Sequence, residues 1–145
     1  MDNIRQFFAA FETAQTAILA TSSGASVTMR TISPVVHQGK ILFFTSRNPV
    51  KFQQLEANPH CCIAAGNAFA EASAEFCGST MRDENAELRK VYCGKFPDAF
   101  DAGVTFGGRE ADFILLTPVH LKGWAFENDS PAADGIPTVP FDLVL

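Results

Sequence analysis

The stretch Ser26-Val27-Thr28-Met29-Arg30-Thr31-Ile32-Ser33, then His37-Gln38-Gly39-Lys40, then Ile41-Leu42-Phe43-Phe44-Thr45, decides the fold. In the first piece Val27 and Met29 alternate with Thr28, Arg30 and Ile32, which is the period of a strand with two different faces. The His37–Lys40 piece has the make-up of a hairpin turn, and Ile41–Thr45 is a short run that is apolar on both faces. Upstream, Thr16–Thr21 (TAILAT) reads as a further strand, with Ser22-Ser23-Gly24 as its turn. Before it, Ile4, Phe7, Phe8 and Phe11 recur at helical spacing.

Downstream of Thr45 the punctuation changes. Asn48 is a favoured N-cap and Pro49 a favoured first helical residue; Phe52 and Leu55 give the helix an apolar stripe, and Asn58-Pro59 ends it. Strands follow over His60–Ala65 and Glu71–Arg82. Asp83 is placed to cap a helix running through Glu84 to about Lys95. A glycine-rich loop around Gly103, Gly107 and Gly108 leads to two more strands, Ala111–Thr117 and Val119–Phe126. Strands and helices do not alternate, which disfavours a doubly wound parallel sheet; a mainly β chain, an antiparallel barrel with short helices inserted, fits better. One domain is expected over residues 1–126. The tail, 127–145, has three prolines and no period, and is expected to be irregular.

Composition narrows the function. The 145 residues are 47% apolar and 19% charged, enough for one well-packed domain without disulfide or metal staples. A net charge of −5 argues against nucleic acid and anionic membranes as partners, while leaving room for a local basic pocket. Asp2 and Arg5 interrupt the apolar start, and no run is long enough to span a membrane. Cys61, Cys62, Cys77 and Cys93 form no C-x-x-C pair and His37, His60 and His120 stand singly, so no metal site is expected. Unpaired cysteines fit a reducing, cytoplasmic setting.

Arg30 on a strand and Lys51 in the first turn of the Pro49 helix are the residues that suggest chemistry. With the unpaired N–H groups of that helix start they could form a phosphate cradle; the alternative is that both are solvated surface cations. Adjacent Cys61 and Cys62 would point to opposite strand faces, an arrangement more structural than reactive. His120, Lys122, Trp124 and Phe126 share one strand face, which suits a core or interface as well as the flank of a planar ring. There is no G-x-G-x-x-G, P-loop or G-x-S-x-G.

The run Met29-Arg30-Thr31-Ile32-Ser33-Pro34, then Gly39–Ser46, Lys51, Gln54-Leu55 and Asn58-Pro59, resembles the pyridoxamine 5′-phosphate oxidase-like family of FMN-binding split barrels. Phe113–Trp124 resembles the closing strands of that family. The resemblance implies a six-stranded antiparallel split barrel, a homodimer, and FMN held between the protomers. It implies that Arg30 and Lys51 meet the FMN phosphate, that the backbone of Thr31, Ile32 and Ser33 lines the flavin, that Phe44 and Thr45 face it, and that Trp124 reaches the flavin of the shared site.

The chain departs from the family pattern in three places. Pro49-Val50 stands where Ser-Arg is common, and Ser73 where a glutamine often contacts the flavin. An acidic Glu127-Asn128-Asp129 follows Trp124 where true pyridoxamine phosphate oxidases carry Arg-x-His. The expectation is therefore an FMN-dependent oxidoreductase of another small substrate, with NADH, NADPH or another reductant as electron donor. The alternatives are a flavin-binding protein without turnover, a relative that binds haem or a deazaflavin, and a dimeric barrel without cofactor.

Overall fold

In the computed structural model, which describes residues 3–46, 49–104, 107–125 and 139–145, the alternation of Ser26–Ile32 becomes strand β2. It pairs antiparallel with β1 (Ala17–Ser23), placing Leu19 opposite Arg30 and Thr21 opposite Thr28. The next hairpin, β3 (Val35–His37) to β4 (Lys40–Thr45), closes through Gln38 and Gly39, both at positive φ as a two-residue turn of this hand requires. Then come β5 (His60–Ala65), β6 (Ala68–Ser79), β7 (Asp112–Ala125) and β8 (Val139–Val144). One antiparallel sheet runs β2-β1-β5-β6-β7-β4-β3, with β8 added to β7.

Among the described residues the two ends of this sheet, β2 and β3, do not pair with one another, and the barrel is split there. Leu19, Ile32, Ile41, Phe43, Ile63, Ile114, Leu116 and Leu121 fill its interior. The expected mainly β antiparallel barrel is what forms. Its six strands are β1, β2, β4, β5, β6 and β7, with β3 and β8 as additions. The segment 139–144 departs from the irregular tail expected for it: despite Pro140 it is an edge strand, where a missing ladder donor is tolerated.

β7 replaces the two strands expected on either side of Pro118. Pro118 pairs with Ala72 and His120 with Glu71, so Val119 is an extra residue. A bulge keeps the strand continuous around the proline. The first half of β7 pairs with β4 and the second with β8, while β6 runs along the other edge.

The helices cover what the barrel leaves open. α1 (Asn3–Thr13) buries Phe7 and Phe11. The Lys95 ammonium donates to the carbonyls of Phe11 (2.9 Å), Ala14 (2.5 Å) and Pro34 (2.7 Å), closing the end of α1. α2 (Val50–Ala57) lies on β1 and ends at Asn58 as expected; Pro49 occupies its N-cap position rather than its first turn, and Asn48 lies outside the described residues. The helix expected from Asp83 begins with a 3₁₀ turn, and α3 proper is Ala86–Cys93. Asp83 does not cap it. Asn85 instead turns its side-chain amide back onto the carbonyls of Cys77 (2.9 Å) and Ser79 (2.7 Å).

The Ile41–Phe44 run is apolar on both faces because it serves two cores. Ile41 and Phe43 enter the barrel, while Leu42 joins Val35, Tyr92, Phe100 and Phe113 in a second cluster that Phe44 and α3 also pack against. Leu42 is fully buried within one chain. This run therefore needs no partner to cover it.

Gly123 sits at φ +152°, and a Cβ there would lie 2.1 Å from the Asn67 carbonyl oxygen. Gly123→Ala is expected to cost more than about 1 kcal/mol in urea unfolding, and Leu121→Ala, in the barrel interior, about 2–5 kcal/mol. A Gly123→Ala protein as stable as wild type would contradict the close approach of β7 to the β5–β6 turn.

Candidate functional site

Because β1 and β2 pair with Leu19 opposite Arg30, the guanidinium lies on the barrel-facing side of the sheet, at its α2-covered rim. Arg30 Nη1 donates to the Leu19 carbonyl (3.1 Å) and to Thr21 Oγ1 (2.8 Å), and Nη2 donates to Thr28 Oγ1. Both hydroxyls in turn donate to Gln54 Oε1 on α2, at 2.6 Å from Thr21 and 2.7 Å from Thr28. A guanidinium has five N–H groups; these contacts use three of Arg30's and leave Nε–H and one Nη2–H. Those two lie side by side and form the fork that fits a phosphate or carboxylate edge.

Lys51, one turn before Gln54, is the second cation. Burial lowers its pKa first, and the charge of Arg30 lowers it further; burial likewise pulls Arg30 below its ordinary value. Among the described residues, neither cation has a carboxylate within ion-pair distance. Two half-buried cations that repel one another, with donors to spare, could hold an anion. The phosphate end of FMN fits this donor set.

The other residues expected at the site are dispersed. Thr31 faces outward and is exposed, Ile32 is in the core, and Ser33 offers its carbonyl to Tyr92 Oη (2.8 Å). Phe44 is committed to the aromatic cluster of Tyr92, Phe100 and Phe113. Thr45 is buried at the end of β4 opposite Asp112. Trp124 is half exposed and lines a different groove, with α1 and Phe141. Within one chain, Arg30 and Lys51 are the expected residues that come together. Thr21 and Thr28 had no assigned role in the sequence. Gln54 stands only as part of a pattern, and nothing local separates it from Gln53, which also lies between apolar Phe52 and Leu55 and is exposed.

Cys61 is buried and its pKa is pushed up to about 12, and burial also raises Cys77 and Cys93. Cys62 is exposed on the opposite face, as the adjacent positions imply. On the outer face of the sheet His120 and Lys122 align with Trp124 as expected, while Phe126 lies outside the described residues. His120 Nε2 meets Asp142 of β8, and Nδ1 lies 2.9 Å from Glu71 of β6. Its pKa is raised, chiefly by Asp142 and then by Glu71 against the opposing effect of burial.

Two titrations test these placements. Removing the like charge with Arg30→Ala should raise the pKa of Lys51, followed by NMR of its side-chain nitrogen; an unchanged pKa would separate the two cations. For His120 the charged imidazole is favoured in the folded state. Its contribution is therefore full below the ordinary pKa of 6.5 and is lost as pH rises through the raised value. The unfolding midpoint of His120→Asn should fall below that of wild type most at about pH 5.5 and least at about pH 8.5. A gap that widens with pH would contradict the clamp.

No family model matches the chain, and no curated protein does. Solved structures resemble it over most of its length. HutZ, the haem storage protein of Vibrio cholerae, aligns with a TM-score of 0.70 and 15% identity over 90% of this chain and 100% of its own. A Listeria innocua protein, provisionally assigned as a pyridoxamine 5′-phosphate oxidase, aligns at 0.65 and 15%, covering 89% of this chain and 100% of that one. An FAD-binding protein of Mesorhizobium loti aligns at 0.60 and 11%, covering 83% and 92%. At these identities the likeness is one of architecture: the chain has the fold of the pyridoxamine 5′-phosphate oxidase-like split barrels.

Proposed function

We propose that this chain binds FMN by its phosphate and acts as an FMN-dependent oxidoreductase on a small molecule. The observation that carries the reading is the pair Arg30 and Lys51, with an open guanidinium fork and no carboxylate partner among the described residues. Solved structures of this architecture include an FAD-binding protein, which supports a flavin, and haem proteins, which supply the main competitor. Of the three histidines, His120 is not free to ligate haem, since its two ring nitrogens are both engaged by carboxylates. Hydride or electron transfer is the chemistry the isoalloxazine ring would supply; the residues of this chain bind, orient and neutralise its phosphate.

The proposal includes a homodimer. The face that needs covering is the outer side of β1, β2, β5 and β6, where Val27 (71%) and Met29 (69%) are largely exposed beside Ile18, Cys62 and Phe69. A contiguous apolar sheet face of this kind marks an interaction surface. A second copy is the simplest occupant, and an interfacial cofactor would bring Trp124 of one chain toward the other's site.

Arg30→Ala should raise the Kd for FMN roughly 10- to 150-fold, the loss of one charge-assisted contact of about 1.5–3 kcal/mol, with riboflavin changed little. Equal weakening of both ligands would remove Arg30 from the phosphate. The FMN-loaded protein should oxidise NADH or NADPH with an acceptor and leave pyridoxine phosphate untouched; a Soret band on reconstitution without flavin uptake would transfer the reading to haem. Light scattering should give about twice the 15.7 kDa chain mass, and Met29→Glu should shift it toward the monomer. A wild-type monomer that binds FMN would contradict the shared site.

A further inference from the structure

The Gln54 side chain is only 6% exposed, yet its carbonyl oxygen receives two hydroxyl protons across the α2–barrel contact. A hydroxyl has one proton and two lone pairs, whereas a guanidinium can only donate. Thr21 and Thr28 must therefore accept from Arg30 and send their protons elsewhere. Gln54 Oε1 lies 2.6 and 2.7 Å from the two hydroxyl oxygens and takes both protons. This also fixes the amide, with its oxygen toward the threonines. Residues 51 and 54 are one helical turn apart, so α2 presents the second cation and this acceptor on one face.

We propose that Gln54 is the positioning residue of the anion site: by taking both hydroxyl protons it makes Thr21 and Thr28 acceptors for Arg30, and so holds the guanidinium with its open fork available to a phosphate. This rests on the phosphate reading of Arg30 and Lys51. Without the Gln54 oxygen, the acceptor that the two hydroxyls retain among the described residues is one another, 3.5 Å apart. Their protons then compete for the lone pairs that Arg30 uses, and the guanidinium is free to turn. A carboxylate at position 54 would accept the same protons but place a negative charge beside the two cations. That side chain would hold Arg30 and repel the phosphate.

The test measures Kd for FMN and for riboflavin by flavin fluorescence, and side-chain N–H exchange of Arg30 by NMR in the protein without flavin. Gln54→Leu and the isosteric Thr21→Val/Thr28→Val pair should speed Arg30 exchange and cut the preference for FMN over riboflavin by roughly tenfold. Thr21→Ser/Thr28→Ser, which keeps both hydroxyls, should restore the slow exchange and the FMN preference that the valine pair loses. Gln54→Glu should keep Arg30 exchange slow and still lose the preference, an outcome that simple loss of structure does not produce. Thr28→Val alone, at the half-buried hydroxyl, serves if Gln54→Leu fails to fold. The proposal is overturned if these variants keep both the slow exchange and the FMN preference of wild type. If wild type shows no FMN preference but Arg30 exchange still depends on Gln54, the phosphate reading falls and the hold of Gln54 on Arg30 is supported.

Discussion

A guanidinium on the barrel-facing side of a sheet has to be satisfied without being neutralised, and the site follows from how this chain does it. Neutral acceptors, one carbonyl and two hydroxyls, take three of the Arg30 donors. A carboxylate in the same place would have quenched the charge. The arrangement depends on the register of β1 with β2, since a slip of β2 by one residue would turn Arg30 and Thr28 to the other face, away from Thr21. It also depends on α2, because the acceptor that orders the hydroxyls comes from the helix.

The barrel is organised around β7, which gives one edge to β6 and divides the other between β4 and β8. Its interior is apolar, and the side of β4 that faces away is sealed by α3 and the Tyr92–Phe100 aromatics. The side of β1, β2, β5 and β6 that faces away has no such cover among the described residues. Exposed apolar residues thus gather on one face, with the Glu71–His120–Asp142 clamp at its margin. A site at one rim and an uncovered face beside it are what a cofactor shared between two chains would require.

Much of this was legible in the sequence where one local rule decided the outcome. Alternation in Ser26–Ile32 separated the faces of β2, and two turn residues between Val35–His37 and Lys40–Thr45 marked their hairpin. Arg30 and Lys51 stood out as cations among apolar and hydroxyl neighbours. What was not legible depended on distant partners. Gln54 acquires its role from Thr21, 33 residues away, and no local pattern encodes that distance. The apolar double face of Ile41–Phe44 finds its second cover in α3, far along the sequence. β8 was hidden because an edge strand with a proline carries little periodicity.

The central claim is that Arg30 and Lys51 form the phosphate end of a flavin site, and a crystal structure of the protein grown with FMN tests it most directly. The account predicts the phosphate on the Nε–Nη2 edge of Arg30 and within reach of Lys51 Nζ, with Gln54 Oε1 still facing the two threonine hydroxyls. A phosphate bound elsewhere, or an Arg30 fork filled by a carboxylate of the protein itself, would contradict it.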